Sequence, residues 1–387
     1  MKFGNRLFSL DLLRGLDMFY LACVSVVLKS AFRTWPDFFG AFPRIGGQSF
    51  TTFFGGHPWY GFTLYDLIMP LFIFMSGAAV PFAIPKRLDN GRPTAAYWRH
   101  LAWRLTMLWS LGLLAQGYLE RWELSQLYPY SNTLQAIAVG YIAAALVLLI
   151  PRLWARIAIP VALLVGFGLL VHFGGDYTKE GNLCQLLELK FYAAVLPGVK
   201  TAVPYITKYG YVWLLPSLMF PVLALGGMFS TQLLRREGVG EWRKARDLLG
   251  YGGGCLLAGL LLEWCGVKCV KHFFSVSFTL QAIGWSVLAL DALYVLTDVF
   301  RFRRGTGLFV LFGQFALAAY LCEAVFQNAL IAVWRRLVAF PTGEFVEAIG
   351  YSVLVVAVVL IRRRIAQAGV PCPGDSPLID ARAAGVV

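Results

Sequence analysis

His57 and Asp66 stand nine residues apart in HPWYGFTLYDLIMPLFIFMSGAAVPF (57–82), where a polar cluster runs directly into an apolar stretch long enough to cross a bilayer. An imidazole titrates near physiological pH and a carboxylate is expensive to keep in hydrocarbon, so the pair suggests proton chemistry at a membrane boundary, with His57 as the base. Plainer roles fit the same residues. Thr63 and Asp66 form a T-x-x-D pattern that serves equally as a helix cap, and His57 could simply hydrogen-bond a loop. In Ser131-Asn132-Thr133-Leu134-Gln135, Asn132 and Gln135 are spaced as cap and third helical residue, or as donors to a carbonyl oxygen. Asp11, Arg14 and Asp17 recur every three residues, so Arg14 either neutralises Asp11 on one helix face or meets an anionic ligand. Among the other histidines, His100 sits with Arg99 and Arg104, His172 ends an apolar run, and His272, beside Lys271, is the reserve candidate.

The elements that must hold these residues are membrane helices. With 58% hydrophobic and 14% charged residues over 387 residues and a mean hydropathy of +0.65, the chain reads as all-α and polytopic. Apolar runs predict ten spans, at 10–32, 62–84, 98–119, 131–150, 153–173, 209–234, 246–265, 274–299, 306–331 and 346–365. The first carries Asp11, Arg14 and Asp17, which would spoil the apolar region of a cleavable signal, so it is expected to remain as a span. Placing the N-terminus inside puts 22 of the 34 Lys and Arg on the cytoplasmic side, which favours N-in and C-in. The formal charge of +13 then reflects topology and not nucleic-acid binding. The long loops 33–61 and 174–208 face outward, and many of their aromatic residues suit the interfacial belt. Residues 1–368 form one transmembrane domain, and 369–387, rich in Pro, Gly and Ala, a disordered tail.

Seven cysteines are scattered, and only Cys265 and Cys269 are close enough in sequence to raise the question of a disulfide. There is no phosphate-cradling glycine loop, no metal-ligand spacing and no G-x-S-x-G elbow.

Four blocks carry a resemblance. SLDLLRGLDMF (9–19), HPWYGFTLYDLIMPLFIFMSG (57–77), SNTLQAIAVGY (131–141) and KHFFSVSFTLQAIGW (271–285) are similar, in order and approximate spacing, to bacterial relatives of heparan-α-glucosaminide N-acetyltransferase. The resemblance spans roughly residues 9–300 and becomes patchy beyond. It implies a transmembrane enzyme of the bacterial inner membrane that moves acetyl from cytoplasmic acetyl-CoA to a sugar or glycan amine or hydroxyl on the outer side. The family's functional histidine precedes a W-x-G-x-T-x-x-D helix start, and by that motif the role falls to His57. The chain departs from the pattern in three places. One residue, Pro58, separates His57 from Trp59 where the human family member has two; no asparagine lies between Asn5 and Asn90; and Phe312-Gly313-Gln314-Phe315-Ala316 replaces F-G-x-N-A.

Acetyl transfer from a thioester needs a base and a donor to the developing oxyanion. His57 is the expected base, Asp66 its orienting partner, and Asn132 or Gln135 the donor. Arg14, Arg99 and Arg104 are the cations expected at an inner mouth for the donor's phosphates, although the last two also suit simple positive-inside anchoring. The partners implied are the bilayer and a sugar acceptor; a homodimer is left open. A transporter for a sugar or sugar acid is the competing reading, and a non-catalytic membrane subunit the third.

Overall fold

The computed structural model describes residues 7–116, 128–195, 202–338 and 343–367, and the expected disordered tail at 369–387 lies outside them. The chain is mostly helical, with the helices α1 (Phe8–Thr34), α2 (Pro36–Gly40), α3 (Phe50–Gly55), α4 (Leu64–Ala83), α5 (Ala95–Ala115), α6 (Thr133–Leu148), α7 (Leu153–Gly174) and α8 (Leu183–Val195) in its first half. The second half adds α9 (Ala202–Tyr209), α10 (Leu215–Leu234), α11 (Glu241–Trp264), α12 (Val276–Val299), α13 (Gly307–Gln314), α14 (Ala316–Ala324), α15 (Gln327–Val338) and α16 (Glu344–Gln367). Two short strands, β1 (Leu88–Asp89) and β2 (Arg92–Pro93), pair antiparallel with Leu88 opposite Pro93. Asn90 and Gly91 between them both adopt positive φ, as a two-residue hairpin turn requires.

By length and composition α1, α4, α7, α10, α12 and α16 are apolar enough to cross a membrane. The other expected spans are also helical, but α5 and α11 carry too much polarity to qualify and α6 is short at 16 residues. The ninth expected span is not one straight helix: α13 and α14 meet at a bend of 78° at Phe315. Close packing accounts for the placement of α13. A Cβ on Gly15 would lie 1.6 Å from the Phe309 carbonyl oxygen, and one on Gly313 would lie 2.1 Å from that of Asp11, so α1 and α13 touch backbone to backbone.

At the centre, α4, α6, α10 and α12 pack on one another, with α11 along α12 and α5 along α6. Gly77 of α4 faces the Ala224 backbone and Gly227 of α10 faces the Phe74 carbonyl, each closer than any side chain permits. In lipid there is little hydrophobic drive between helices, so this small-residue contact is what lets dispersion hold α4 to α10. Buried residues from α1 through α16 form one continuous cluster around this crossing.

Local signals set where the central helices begin. Thr63 Oγ1 accepts from the Asp66 backbone N–H (3.2 Å), Asn132 caps α6 through Leu134 N–H (2.8 Å), and Ser275 Oγ accepts from Phe278 N–H (3.4 Å) at α12. The starts of α4, α6, α10 and α12 lie at one end of the bundle, and this is where the cavity forms. Cys265 is exposed at the end of α11 while Cys269 is buried, and both are free thiols.

Candidate functional site

A cavity of about 270 Å³ opens at the N-terminal ends of these four helices. His57 lines it just before α4, Ser131, Asn132 and Thr133 at the start of α6, Trp213 just before α10, and Lys271 just before α12. Leu21, Ile68, Met69 and Phe72 give it an apolar wall, while Gln116, Tyr320 and Glu323 add polar groups from α5 and α14. Leu21 projects from a π-helical turn, Tyr20–Val24, inside α1, the kind of widened turn that often marks a site.

The chain segment before α4 is held in place by its neighbours. Gly61, at φ +95°, donates its N–H to the Cys269 carbonyl (3.0 Å), and Trp59 Nε1 donates to the Tyr177 carbonyl (2.9 Å). His57 therefore meets residues more than two hundred positions away. Its Nδ1 lies 2.7 Å from Asp66 Oδ1 and 3.1 Å from Lys271 Nζ, and the ammonium is itself 3.2 Å from the same Asp66 oxygen. Thr63 Oγ1 donates to the other carboxylate oxygen, Oδ2, at 2.7 Å. The Asp66 side chain is wholly buried and that of Lys271 is 6% exposed, whereas His57 keeps 33% of its side-chain surface open to the cavity. The open edge of the ring is Nε2, which has no hydrogen bond among the described residues.

Burial and the Lys271 ammonium push the His57 pKa down to about 4, and Asp66 opposes them only in part. Burial likewise lowers the Lys271 pKa, with Asp66 holding it up. The imidazole is thus neutral at pH 7. With Nδ1 as donor to Asp66, Nε2 presents its lone pair to the cavity, which is the tautomer a base or nucleophile needs. Four helix N-termini around the same space favour negative charge there.

Asn132 Oδ1 accepts from both Leu134 N–H and Tyr320 Oη (3.2 Å), which leaves its amide Nδ2 as the end available to a ligand. Gln135 is placed differently. Its Oε1 accepts from Ser131 N–H (2.8 Å) and Asn132 N–H (3.1 Å) and its Nε2 donates to the Pro129 carbonyl (2.9 Å), so the capping role occupies the whole side chain. His272, the reserve candidate, is sandwiched between Trp59 (4.5 Å) and Tyr211 (4.3 Å) and packs the wall behind the site; burial lowers its pKa to about 4.

The three arginines are not brought together. Arg14 pairs with Asp11 at 3.4 Å on α1, Arg99 is exposed on α5, and Arg104, also on α5, lies over the Tyr141 ring at 3.9 Å. None of the three lines the cavity. Arg14 lies fifteen residues before Lys29, about 22 Å along the helix, and Lys29 Nζ reaches Tyr65 Oη (2.5 Å) at the cavity end.

Sequence reasoning passed over Lys271, Tyr65, Lys29, Tyr320 and Glu323. The Tyr65 ring sits 4.6 Å from that of His57, and Glu323 lines the cavity within the electrostatic reach of Lys29. A signal existed for two of them, since Lys29 and Glu323 interrupt apolar runs. Among the described residues no His, Cys, Asp and Glu cluster could hold a metal ion.

The fold and site together define a helical protein with several apolar helices compatible with a multi-pass membrane protein and a histidine, lysine and aspartate constellation at the mouth of its central helices. No protein-family model matches the chain, and no curated protein matches it in sequence.

Proposed function

We propose that the protein is a ten-span, N-in/C-in acetyltransferase of a bacterial inner membrane that passes an acetyl group from cytoplasmic acetyl-CoA to a sugar or glycan acceptor at the outer face. The observation that carries this reading is the neutral His57 ring, buttressed at Nδ1 by Asp66 and Lys271 and open at Nε2 to a cavity ringed by helix N-termini. The resemblance of the four sequence blocks points the same way.

In this mechanism the acceptor's amine or hydroxyl attacks the thioester carbonyl while His57 Nε2 takes its proton. The Asn132 amide and the helix N-termini stabilise the tetrahedral oxyanion. Collapse breaks the C–S bond, and the CoA thiolate leaves with the proton returned from the imidazolium. Asp66 steadies that imidazolium, and the charge of the adjacent ammonium favours passing its proton on to the thiolate. With the N-terminus inside, the starts of α4, α6, α10 and α12 face outward, and in this reading the chemistry lies on the acceptor side.

A transporter is the second reading, and the break between α13 and α14 favours it, because discontinuous helices are a device for coordinating substrates within the membrane. Thiol release from acetyl-CoA by the purified protein, with and without candidate sugars, separates the two. Release that depends on both the sugar and His57 supports the transferase; sugar uptake by vesicles without any thiol release overturns it.

A further inference from the structure

Arginines collect at the end of the bundle where the central helices finish, and several of them donate to carbonyls there. Arg87 donates to the Ala83 carbonyl and Arg235 to that of Pro81, closing α4. Arg156 donates to Ile150 (2.5 Å) and Leu148 (3.0 Å) beyond α6, and Arg303 to Thr297 (3.2 Å) at the end of α12. A cation at a helix C-terminus is where the backbone dipole favours it.

Arg104 is placed differently. Its guanidinium stacks on the Tyr141 ring, its Nε is buried without a hydrogen-bond partner, and among the described residues no carbonyl or carboxylate accepts from it. The ionisable groups that act on it are Tyr141 and a second cation, Arg87. His100 adds its ring, with Nε2 3.1 Å from Tyr141 Oη and the same two arginines as its charged neighbours. Among the described residues, two guanidiniums and an imidazole therefore converge with no carboxylate acting on Arg104 or His100. Like charges held together in a half-buried place call for an anion.

We propose that Arg104, with Arg87, His100 and Tyr141, forms a binding site for a phosphate group, carried by the acyl donor or by an anionic lipid headgroup. The flat guanidinium fork, its face stacked on Tyr141, presents its edge to two phosphate oxygens. Tyr141 lies nine residues beyond Asn132 on α6, about 13 Å along the helix from the cavity, so a phosphate held there sits below the cavity and not in it. Exposed Trp98 and Trp103 flank Arg104 on α5 and suit a membrane interface, where a lipid headgroup would also arrive. The acyl-donor arm rests on the transferase reading; the lipid arm does not.

The test is equilibrium binding to the full-length purified protein, with no turnover required. Inorganic pyrophosphate and CoA are titrated by calorimetry, and thermal stability is compared in phosphatidylcholine vesicles with and without phosphatidylglycerol. Arg104→Gln should weaken pyrophosphate binding at least tenfold, as expected for loss of a charge-assisted pair, while Arg99→Gln on the same helix leaves it unchanged. A matching loss of CoA affinity assigns the phosphate to the acyl donor; loss of the phosphatidylglycerol stabilisation with CoA binding intact assigns it to lipid. If Arg104→Gln is not recovered folded, His100→Gln serves in its place and should weaken pyrophosphate at least threefold. Wild-type affinity for pyrophosphate and wild-type response to phosphatidylglycerol in these variants would overturn the site and leave Arg104 as a packing partner of Tyr141. Sugar-dependent thiol release unaffected by Arg104→Gln would count against the acyl-donor arm alone, whereas pyrophosphate bound through Arg104 in a protein that releases no thiol would count against the transferase alone.

Discussion

The two ends of the central bundle handle unpaired backbone groups in opposite ways. Where α4, α6 and α12 finish, Arg87, Arg235, Arg156 and Arg303 donate to terminal carbonyls, and Arg236 does the same for α10 at Leu233. Where the same helices begin, Thr63, Asn132 and Ser275 satisfy single N–H groups at α4, α6 and α12, the Glu188 carboxyl accepts from Trp213 and Leu214 just before α10, and the remaining donors of α4, α6 and α12 lie around a cavity. One end meets its carbonyls with cations, and the other turns backbone N–H groups toward a cavity. The end with the cavity holds Lys271, Asp66 and His57, so the arrangement that keeps the imidazole neutral coincides with the place where an oxyanion would be stabilised.

Substitutions at the two ends should therefore separate chemistry from stability. The largest effect is expected for His57→Ala, which should lower acetyl transfer by about 10²-fold or more, the usual worth of a general base. The variant should still fold, since among the described residues the ring is bound to the core only through Nδ1, which donates to Asp66 beside the Lys271 ammonium. Acetyl-histidine trapped on the wild type would show a two-step route through Nε2.

Lys271→Met sharpens the point electrostatically. In the wild type the active form is the neutral ring, so the rate should be flat near neutrality and fall only as pH drops through about 4. Without the ammonium, Asp66 is left to favour the imidazolium, and the acidic limb should move up by about one pH unit or more, with turnover lost near pH 5 and little changed at pH 7. A pH profile superimposable on the wild type would show that Lys271 does not govern the ring.

At the opposite end, Arg235→Ala should leave turnover per folded molecule unchanged and lower stability by about 1–3 kcal/mol, the range for a charge-assisted hydrogen bond to a terminal carbonyl. Gln135→Ala should behave similarly on a smaller scale, at about 1 kcal/mol for a lost cap, because its side chain serves Ser131, Asn132 and Pro129. A hundredfold loss of activity with normal stability in Gln135→Ala would return that residue to the chemistry. Thermal unfolding followed alongside thiol release makes both comparisons.

The sidedness of the two ends is open to labelling. In a background where exposed Cys265 is replaced by Ser, Gly40→Cys should react with an impermeant maleimide in intact cells and Asp89→Cys should not. Gly40 has open space around a new Cβ, and Asp89 is exposed on the hairpin. The reverse pattern would put His57 in the cytoplasm.

The histidine and its carboxylate were legible in the sequence because they are near neighbours on one helix start, and Thr63 and Asp66 turn out to fill both roles the pattern allows. The cap at Thr63 orders the first turn, and the carboxylate reaches back to His57. Asn132 and Gln135 divided instead, one at the cavity and one enclosed by its own cap. Lys271 could not be read, since its 214-residue separation from His57 is bridged only when the α12 entry loop packs against the α4 entry loop. The bend at Phe315 was hidden for a related reason: the chain around it is apolar throughout, and the contact of Gly313 with Asp11 belongs to tertiary packing.

The most direct test of the central claim is sided transfer in proteoliposomes. Labelled acetyl-CoA is supplied to the face bearing Arg104, with an amino sugar trapped on the face bearing His57. The account predicts labelled acetyl-sugar in the acceptor compartment with the wild type and none above background with His57→Ala. Acetylation seen only when donor and acceptor share one side, or sustained at the wild-type rate by His57→Ala, would contradict it.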